Sequence, residues 1–574
     1  MNRIPASNRL PFILTALLTA AVLTPFASSA RAFEPTDPVE YAVYNERLIP
    51  APQSVDFGRG IVVFNEKLQC VLLLDDETRA DADFDSRLET LRVSASEEFA
   101  ADLRFVVASP KEYADRIDGK KASSDDAAQF LAELNDAPDF FGRANAYRCL
   151  TVPDPAYASD SDPETLTNAR TELAGTIIIA AADFDGLRDA FKTLRQASET
   201  FGVSASTASS QYLVPEMKID DAPALAFRGL HLCWFPETDP KRLESAIRIA
   251  AYYKFNYVVL EFWGVFPFET SDALCWSEIH TTKEEVRRLV ALGKELGVTL
   301  VPQMNLWGHA AGARESVGKH AVLDFHPELE PLFEPDGWTW NIYNPAAREL
   351  LTGCVLELCD VFDNPPFFHI GCDEAYSAGT NFMARRKGNY ADAMAEWLGY
   401  FHDLLGERNC RMMMWHDMLV QKSEFRGYVA NGKASEEGVL DKLPKDVLIC
   451  DWQYNAPGKD ETWPTSVRFR EKGFETIMCP WREAEGIRSL GKNAADAGGF
   501  GLLCTTWHMF YLGDMRNILI IGASSGWGTR YRGAAAVGAF NRHLRQADRG
   551  IGDKNYRTGG VSDWQVLKET YGPR

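Results

Sequence analysis

The regular alternation of short apolar runs with amphipathic helical segments in the second half of the chain limits its fold most. Helical patterns separate most of these runs, for example at 240–253, 281–296 and 345–360. Such alternation is typical of a parallel sheet covered by helices, and eight repeats indicate an α/β fold of the (β/α)8 barrel type. The predicted strands span 227–234, 256–263, 298–305, 367–373, 411–416, 446–453, 474–481 and 500–507.

Local signals at the helix ends support this division. Pro240 and Pro345 suit the first turn of a helix, and Gly297 suits the position just after a helix end. A doubly wound open sheet is the alternative, but it more often has a glycine-rich turn after its first strand, and the sequence shows none there. We therefore predict a catalytic barrel over residues 227–545.

The region before the barrel has a mixed pattern. Short apolar runs alternate there with acidic, alanine-rich stretches, which predicts a small α+β domain over residues 33–226. Residues 546–574 are polar and are interpreted as a C-terminal tail. The apolar runs lie at 61–64, 70–74, 104–108 and 176–181, and the helical stretches include 83–102 and 184–199.

The first 32 residues have the pattern of a signal peptide. Arg3 and Arg9 precede an apolar run over 10–23, and Ala30-Arg31-Ala32 resembles a cleavage site. A membrane anchor is the alternative, but the run is shorter than the roughly 20 residues that a span needs. No later segment is apolar enough to span a membrane, so we predict an exported protein, periplasmic or extracellular, without a stable membrane span.

The charge balance bears on partners. The chain has 60 basic and 81 acidic residues, which gives a formal net charge of −21. A chain this acidic repels phosphate backbones, so we expect no nucleic-acid partner. The sequence leaves the oligomeric state open.

The cysteines and histidines do not predict a metal site. The eleven cysteines form no Cys-x-x-Cys pair and mostly lie in apolar runs, so we expect buried thiols, with one or two disulfides left open. Four histidines lie near strand ends without the spacing of metal ligands on one element, so we expect no metal and no cofactor. These are His231, His309, His369 and His416.

Tryptophan recurs at the predicted strand ends. The active site of a (β/α)8 barrel lies at the carboxyl ends of its strands, so these residues would share one face. The alternative is that they cap the barrel core. Flat aromatic walls suit the C–H faces of sugars, and the pattern predicts a carbohydrate-binding pocket. The residues are Trp234, Trp263, Trp415, Trp452, Trp481 and Trp507.

Asp373 and Glu374 end the fourth predicted strand, in the sequence FHIGCDEA. The dipeptide alone is uninformative, since it recurs at 76–77 and 460–461. At a strand end in a pocket that excludes water, however, ionising both of two adjacent carboxyl groups costs free energy, because the two negative charges repel each other. One can then keep its proton near neutral pH and act as a general acid, which makes this pair the candidate catalytic group.

These motifs resemble the family 20 glycoside hydrolases, the β-N-acetylhexosaminidases. FHIGCDEA at 368–375 is similar to the family's Phe-His-Ile-Gly-Gly-Asp-Glu, Arg228-Gly229 to its barrel-opening Arg-Gly, and Gly308-His309 to its Gly-His. Trp415, Trp452, Trp481 and Trp507 fall where the family places its pocket tryptophans. Short motifs at 49–52 and 193–196 are similar to its N-terminal domain, so the resemblance covers nearly the whole chain after residue 32.

The resemblance implies a retaining mechanism in which the substrate's own 2-acetamido oxygen attacks the anomeric carbon. It implies that Asp373 orients the acetamide, that Glu374 is the acid/base, and that the substrate is an amino-sugar glycoside, oligosaccharide or glycan. By the same resemblance the substrate-binding residues are Arg228, Glu261, His309, Trp415, Asp417, Trp452, Trp481 and Trp507.

The sequence also departs from the family pattern. Strand 2 ends in Glu261-Phe262-Trp263-Gly264, without the aligned acidic residue that pairs with the Gly-His histidine in the family, and Cys233 stands where an Asp is usual. Arg482 replaces the tyrosine that holds the acetamido oxygen, and Met509 replaces a sugar-binding Glu. These departures mark a divergent member.

Two alternatives therefore stay open. In the first, the barrel is a two-carboxylate retaining β-glycosidase, with Glu374 as acid/base and Glu483 as nucleophile. In the second, it is a carbohydrate-binding barrel that has lost turnover.

Overall fold

We describe a computed structural model of the chain. The residues it describes are 47–117, 124–154, 175–201, 211–236, 238–275, 280–310, 322–387, 390–433, 438–454, 463–507, 515–529, 539–540 and 543. The predicted signal peptide and the predicted C-terminal tail lie outside them.

The first part of the chain forms a seven-stranded mixed sheet with the order β1-β7-β4-β5-β2-β3, and β6 pairs with β7. Its strands are β1 (Ser54–Val63), β2 (Gln69–Leu73), β3 (Arg104–Ala108), β4 (Tyr147–Val152), β5 (Thr176–Ala181), β6 (Glu199–Phe201) and β7 (Gln211–Asp221). The helices are α1 (Asp76–Arg79), α2 (Phe84–Glu98), α3 (Pro110–Ile117), α4 (Ser124–Asn135) and α5 (Phe184–Ala197).

Alternate side chains of the central strands pack into two apolar cores, one on each face of this sheet. In β2, for example, Leu72 joins the core beneath α5, whereas Val71 and Leu73 join the core beneath α4. This division follows from the two-residue period of a strand. The predicted α+β character of this region is confirmed.

The second part of the chain forms a closed barrel of eight strands, and every pairing between neighbours is parallel. The predicted fold class is therefore confirmed, with all eight strands inside or at the bounds predicted for them. The strands are β8 (Phe227–Trp234), β9 (Tyr257–Phe262), β10 (Thr299–Gln303), β11 (Phe367–His369), β12 (Arg411–Trp415), β13 (Leu448–Trp452), β14 (Thr476–Cys479) and β15 (Gly501–Thr505).

Helices surround the barrel and pack a large apolar core against its outer surface. They are α6 (Pro240–Tyr252), α7 (Lys283–Leu296), α8 (Val322–Phe325), α9 (Pro345–Val361), α10 (Phe382–Lys387), α11 (Tyr390–Gly406), α12 (Val439–Lys442), α13 (Pro464–Glu471), α14 (Ala484–Asp496) and α15 (Arg516–Trp527). Short 3₁₀ helices occur at Phe140–Gly142, Asp272–Leu274, Pro327–Leu332 and Asp417–Leu419.

The predicted helix ends have a physical basis in the structure. The side chain of Asp239 caps α6 and that of Asn344 caps α9, each just before a proline in the first turn. Helix α7 ends at Gly297, which has φ 76° and closes the helix in the left-handed conformation that glycine adopts without strain.

A buried polar group joins the N-terminal sheet to the barrel. Nζ of Lys254, after α6, donates to Oδ2 of Asp221 at 3.0 Å and to the hydroxyl of Tyr147 at 2.9 Å. Nε1 of Trp527, at the end of α15, donates to the other oxygen of Asp221 at 2.6 Å. Because all four side chains are buried, the junction is a fixed contact between β7 and the barrel helices.

We expect Lys254→Met to destabilise the protein by about 3–5 kcal/mol, because it leaves the buried Asp221 carboxylate without its counter-ion. Urea unfolding followed by circular dichroism measures the change. The matched control is Lys472→Met, whose ion pair with Asp441 is largely exposed and should be worth about 1 kcal/mol or less. Equal losses in the two variants would contradict the assigned role of the junction.

No disulfide joins any of the eleven cysteines, all of which lie in the described part of the chain. Ten of them are buried, as their apolar contexts predict. Among the described helices, none has the length and apolar character needed to cross a membrane.

Candidate active site

Asp373 and Glu374 follow β11 at the carboxyl end of the barrel, which we call the mouth. Two glycines let the backbone approach closely here. A Cβ on Gly308 would lie 1.8 Å from the carbonyl oxygen of Asp373, and one on Gly371 would lie 1.9 Å from Oδ1 of Asn305. The glycines in the Gly-His and His-Ile-Gly motifs therefore bring the segment after β10 against the carboxylate pair.

His309 bridges the two carboxylates. Its Nε2 lies 3.3 Å from Oδ2 of Asp373 and 3.4 Å from Oε2 of Glu374. The ring is held edge-on to Trp263 at 5.5 Å and against Trp338 at 4.5 Å between centroids. One imidazole thus fixes both carboxyl groups.

Backbone strain is concentrated at the mouth. His309, Cys372, Glu374 and Trp507 all have positive φ values, between 50° and 76°. Residues other than glycine adopt this left-handed conformation at a cost that the surrounding structure must offset, and such residues cluster at functional sites. The strain therefore supports a functional role for these four positions.

Burial alone would lower the pKa of the His309 imidazole, but the charge of Asp373 and hydrogen bonds to both carboxylates raise that pKa to about 10. His309 is therefore a cation at neutral pH. Its positive charge offsets part of the negative charge of the pair.

This raised pKa predicts a pH dependence of stability. Its ordinary value is about 6.5, so the stabilisation is complete below pH 6.5 and is lost as the pH rises through about 10. We expect the wild type to exceed His309→Asn in free energy of unfolding at pH 7, and the difference to shrink steadily towards pH 10. Urea unfolding at several pH values measures it, and a difference that grows with pH would contradict the assignment.

Asp417, just after β12, holds the backbone of the carboxylate pair by a hydrogen bond. Its Oδ2 accepts the backbone N–H of Glu374 at 3.0 Å and the amide of Asn431 at 2.7 Å, and its Oδ1 accepts Nε1 of Trp452 at 3.3 Å. Burial and the charge of Asp373 raise the pKa of Asp417 to about 6. The residue is fully buried and holds the backbone of Glu374 through this hydrogen bond.

Aromatic side chains line the barrel interior beside the pair. Trp415 is fully buried and packs against Trp507 at 5.5 Å between ring centroids, so it forms the floor beneath Trp507. Tyr454 packs between Trp452 at 5.2 Å and Trp481 at 5.3 Å. Trp234 differs from these, because it faces the outer helices and stacks on Phe262.

Glu261 lies below the mouth and does not pair with His309. Its carboxylate accepts hydrogen bonds from His231 at 3.0 Å, from Cys233 at 3.1 Å and from Asn305 at 2.8 Å. The residue is 1% exposed, so it is part of the interior of the barrel rather than of its open surface.

The structure does not bring Arg228 to the site. It is the second residue of β8, six residues and roughly 20 Å before the carboxyl end of that strand. Its side chain is buried at the opposite end of the barrel, where it donates to the carbonyls of Leu225 and Lys254 and lies over the ring of Trp527. This corrects the expectation that Arg228 binds sugar at the mouth.

The structure adds a residue that the sequence did not indicate. Trp338 lies in the long segment between β10 and α9, and its Nε1 donates to the carbonyl of Glu374 at 2.8 Å.

The alternative nucleophile Glu483 is 62% exposed and pairs with Arg482 at 3.7 Å. Met509 lies outside the described residues.

Residues 270–484, which run from the segment after β9 to the start of α14, match the model of the glycosyl hydrolase family 20 catalytic domain. The match includes the carboxylate pair, His309 and Asp417. Residues 270–484 therefore belong to a glycoside hydrolase family 20 catalytic domain. It is a divergent one, because the identities to its relatives are low.

Two of the relatives of this family 20 domain are named beta-hexosaminidases. One, from Vibrio furnissii, is 25% identical over 315 residues, which make up 47% of this chain and 45% of that protein. The other, from Emericella nidulans, is 23% identical over 332 residues, or 53% of this chain and 50% of that protein. The match thus spans about half the length of each of these relatives.

Solved structures share the fold over more of the chain. A GH20 exo beta-N-acetylglucosaminidase from Vibrio harveyi, in complex with N-acetylglucosamine, has a TM-score of 0.57 at 14% identity, covering 90% of this chain and 79% of that one. A beta-N-acetylhexosaminidase from Bacteroides fragilis has a TM-score of 0.56 at 15% identity, covering 89% and 99%. At these identities the likeness is one of fold.

Proposed function

We propose that this protein is an exported, exo-acting β-N-acetylhexosaminidase that removes terminal N-acetylglucosamine or N-acetylgalactosamine by substrate-assisted retaining catalysis. The observation that carries the proposal is the unequal exposure of two carboxylates held by one imidazole. The Asp373 side chain is 6% exposed, whereas that of Glu374 is 31% exposed.

This difference suits two distinct tasks. A buried carboxylate keeps a fixed position, so Asp373 can hold the acetamido N–H and direct the acetamido oxygen at the anomeric carbon. A partly exposed carboxyl group exchanges protons with water and reaches a departing group, so Glu374 can act as general acid and base. Because the two residues are adjacent, they can serve neighbouring atoms of one sugar.

The reaction then has two steps. The acetamido oxygen forms a bond to the anomeric carbon while the glycosidic C–O bond breaks, and Glu374 gives its proton to the leaving oxygen. Glu374 next takes a proton from water, whose oxygen attacks the anomeric carbon and reopens the ring of the cyclised intermediate. Both steps invert the anomeric carbon, so the product retains the configuration.

The charges around the pair favour this path. The intermediate is cationic, and the charge of Asp373 lies close to where that cation forms. Cationic His309 offsets only part of the negative charge. A preorganised negative field of this kind stabilises the transition state without reorganisation at the moment of reaction.

The choice of sugar rests on the aromatic wall and on the relatives. Trp481 and Trp507 are partly exposed, and flat rings in this position suit the C–H face of a pyranose. The two relatives above are named beta-hexosaminidases, and the Vibrio harveyi structure is named an exo beta-N-acetylglucosaminidase. These names support an acetamido sugar and the exo mode.

A panel of aryl β-glycosides tests the proposal. We expect kcat/KM for the N-acetylglucosaminide or N-acetylgalactosaminide to exceed that for the glucoside by at least about 100-fold, because only the acetamido sugars carry an internal nucleophile. Equal rates on the 2-hydroxy sugar would reject substrate assistance. Export is tested separately by N-terminal sequencing of the secreted protein, which should begin near residue 33.

Trp507 should act mainly through substrate binding. We expect Trp507→Ala to raise KM with a smaller change in kcat, because a partly exposed ring contributes about 0.5–1.5 kcal/mol of aromatic contact to a bound sugar. The matched control is Trp415→Ala, which removes a fully buried ring and should mainly lower the melting temperature. Two results together would contradict a binding role: Trp507→Ala fails to fold, and Trp507→Phe folds with an unchanged KM. The ring of Trp507 would then be part of the apolar core and would not bind the sugar.

A further inference from the structure

We propose that His231, Cys233 and Glu261 form a binding site for a divalent transition-metal ion, with Zn²⁺ the best fit, inside the barrel beneath the mouth. All three side chains are buried, and one ligand atom from each lies within 4.8 Å of the other two. Nothing in the proposed hydrolytic function requires this site, so the inference stands independently of it.

The strands preorganise the donors. Cys233 and Glu261 are directly paired across β8 and β9, and His231 lies two residues before Cys233 on the same inward face. Oε2 of Glu261 lies 3.0 Å from Nε2 of His231 and 3.1 Å from Sγ of Cys233. Zn–N, Zn–O and Zn–S bonds of 2.0–2.3 Å require tetrahedral ligand separations of about 3.3–3.6 Å, so these two pairs of donors need only small shifts.

The chemistry of the donor set selects the metal. A thiolate and an imidazole are ligands that favour Zn²⁺ over Mg²⁺ or Ca²⁺. The thiolate and the carboxylate carry two negative charges, so a dication leaves the buried group neutral. On binding, a Zn–S bond forms and the thiol proton of Cys233 passes to solvent.

Buried polar atoms nearby support a bound ion with its water. Glu261 is paired with Gln303 on β10, and Gln303 is paired with His369 on β11, so the three residues lie at the same level of the barrel. Among the described residues no partner meets Oδ1 of Asn305, either amide atom of Gln303, or Nε2 of His369. Each such atom costs about 1–3 kcal/mol unless something binds it, and a hydrated ion supplies such partners.

The site would tie β8 to β9 below the aromatic floor. The ring of His231 lies 4.9 Å from that of Trp507 and 5.6 Å from that of Trp415. The sequence did not indicate the site, because the third ligand, Glu261, comes from a second strand that the fold pairs with β8.

Metal analysis of the tag-free, full-length protein tests the inference. After chelator treatment and re-addition of Zn²⁺, we expect one ion per chain by mass spectrometry and a higher melting temperature. We expect Cys233→Ser and Glu261→Gln to weaken Zn²⁺ binding by at least tenfold. Cys450→Ser, which changes a buried thiol on another barrel strand, should leave the binding unchanged.

A measurement on the wild type tests the proposal even where the variants do not fold. Addition of Co²⁺ to the metal-free protein should produce a thiolate-to-metal charge-transfer band, since Cys233 would be a ligand. A stoichiometry of zero, binding that survives both ligand substitutions, or a wild-type Co²⁺ spectrum without that band would each overturn the proposal. The three residues would then form a hydrogen-bonded cluster only.

Discussion

Glu374→Gln is expected to lower kcat by about 10²–10⁴-fold while leaving the fold and substrate binding intact. The amide keeps the size of the side chain but cannot give a proton to the leaving oxygen. Steady-state kinetics on an aryl β-N-acetylglucosaminide measures the loss, with Glu485→Gln, an exposed substitution on α14, as the control that should retain full activity.

The leaving group gives this prediction a second readout. Substrates whose leaving groups need protonation should lose the most activity, and a nitrophenyl substrate should lose less, because its phenolate departs without help. Unchanged activity of Glu374→Gln on a poor leaving group would remove Glu374 from the role of general acid. In Glu374→Ala, whose shorter side chain leaves space, addition of a small carboxylate such as formate is expected to restore part of the rate.

Asp373→Asn and Glu483→Gln are expected to have very different effects. If the acetamide is the nucleophile, Asp373→Asn loses about 10²–10³-fold in kcat, the range typical of losing one preorganised electrostatic contact. Glu483→Gln should change kcat by less than about twofold, because this carboxylate is exposed and pairs with Arg482. The two-carboxylate alternative predicts the reverse order, with Glu483→Gln nearly inactive.

The barrel could be predicted because its strands are buried on both sides and therefore form continuous apolar runs in the sequence. Strands β4 and β7 of the N-terminal sheet are examples that gave no such signal. Strand β7, Gln211–Asp221, contains Pro215 and several charged residues, and the polar residues Arg148 and Thr151 interrupt the apolar residues of β4. Both are held by their pairing with each other, which sequence patterns do not reveal.

The candidate site could be predicted where residues directly follow a strand, as with Asp373, Glu374 and Asp417. Arg228 was misplaced because its role came from the family resemblance alone, although the second residue of β8 lies at the amino end of that strand, away from the mouth. Trp338 gave no signal because a long segment after β10 brings it back to Glu374. Glu261 lies near the end of its strand as predicted. Its carboxylate, however, accepts hydrogen bonds from His231 and Cys233 on β8 and therefore lies inside the barrel.

The identity of the nucleophile tests the account most directly, and mass spectrometry of the intact enzyme decides it. After incubation with an activated 2-fluoro sugar, the account predicts no increase in protein mass. A thiazoline mimic of the cyclised intermediate should inhibit far more strongly than the product sugar, because the site stabilises that intermediate. A stable glycosyl adduct mapped to Glu483, together with weak inhibition by the thiazoline, would contradict substrate-assisted catalysis by this barrel.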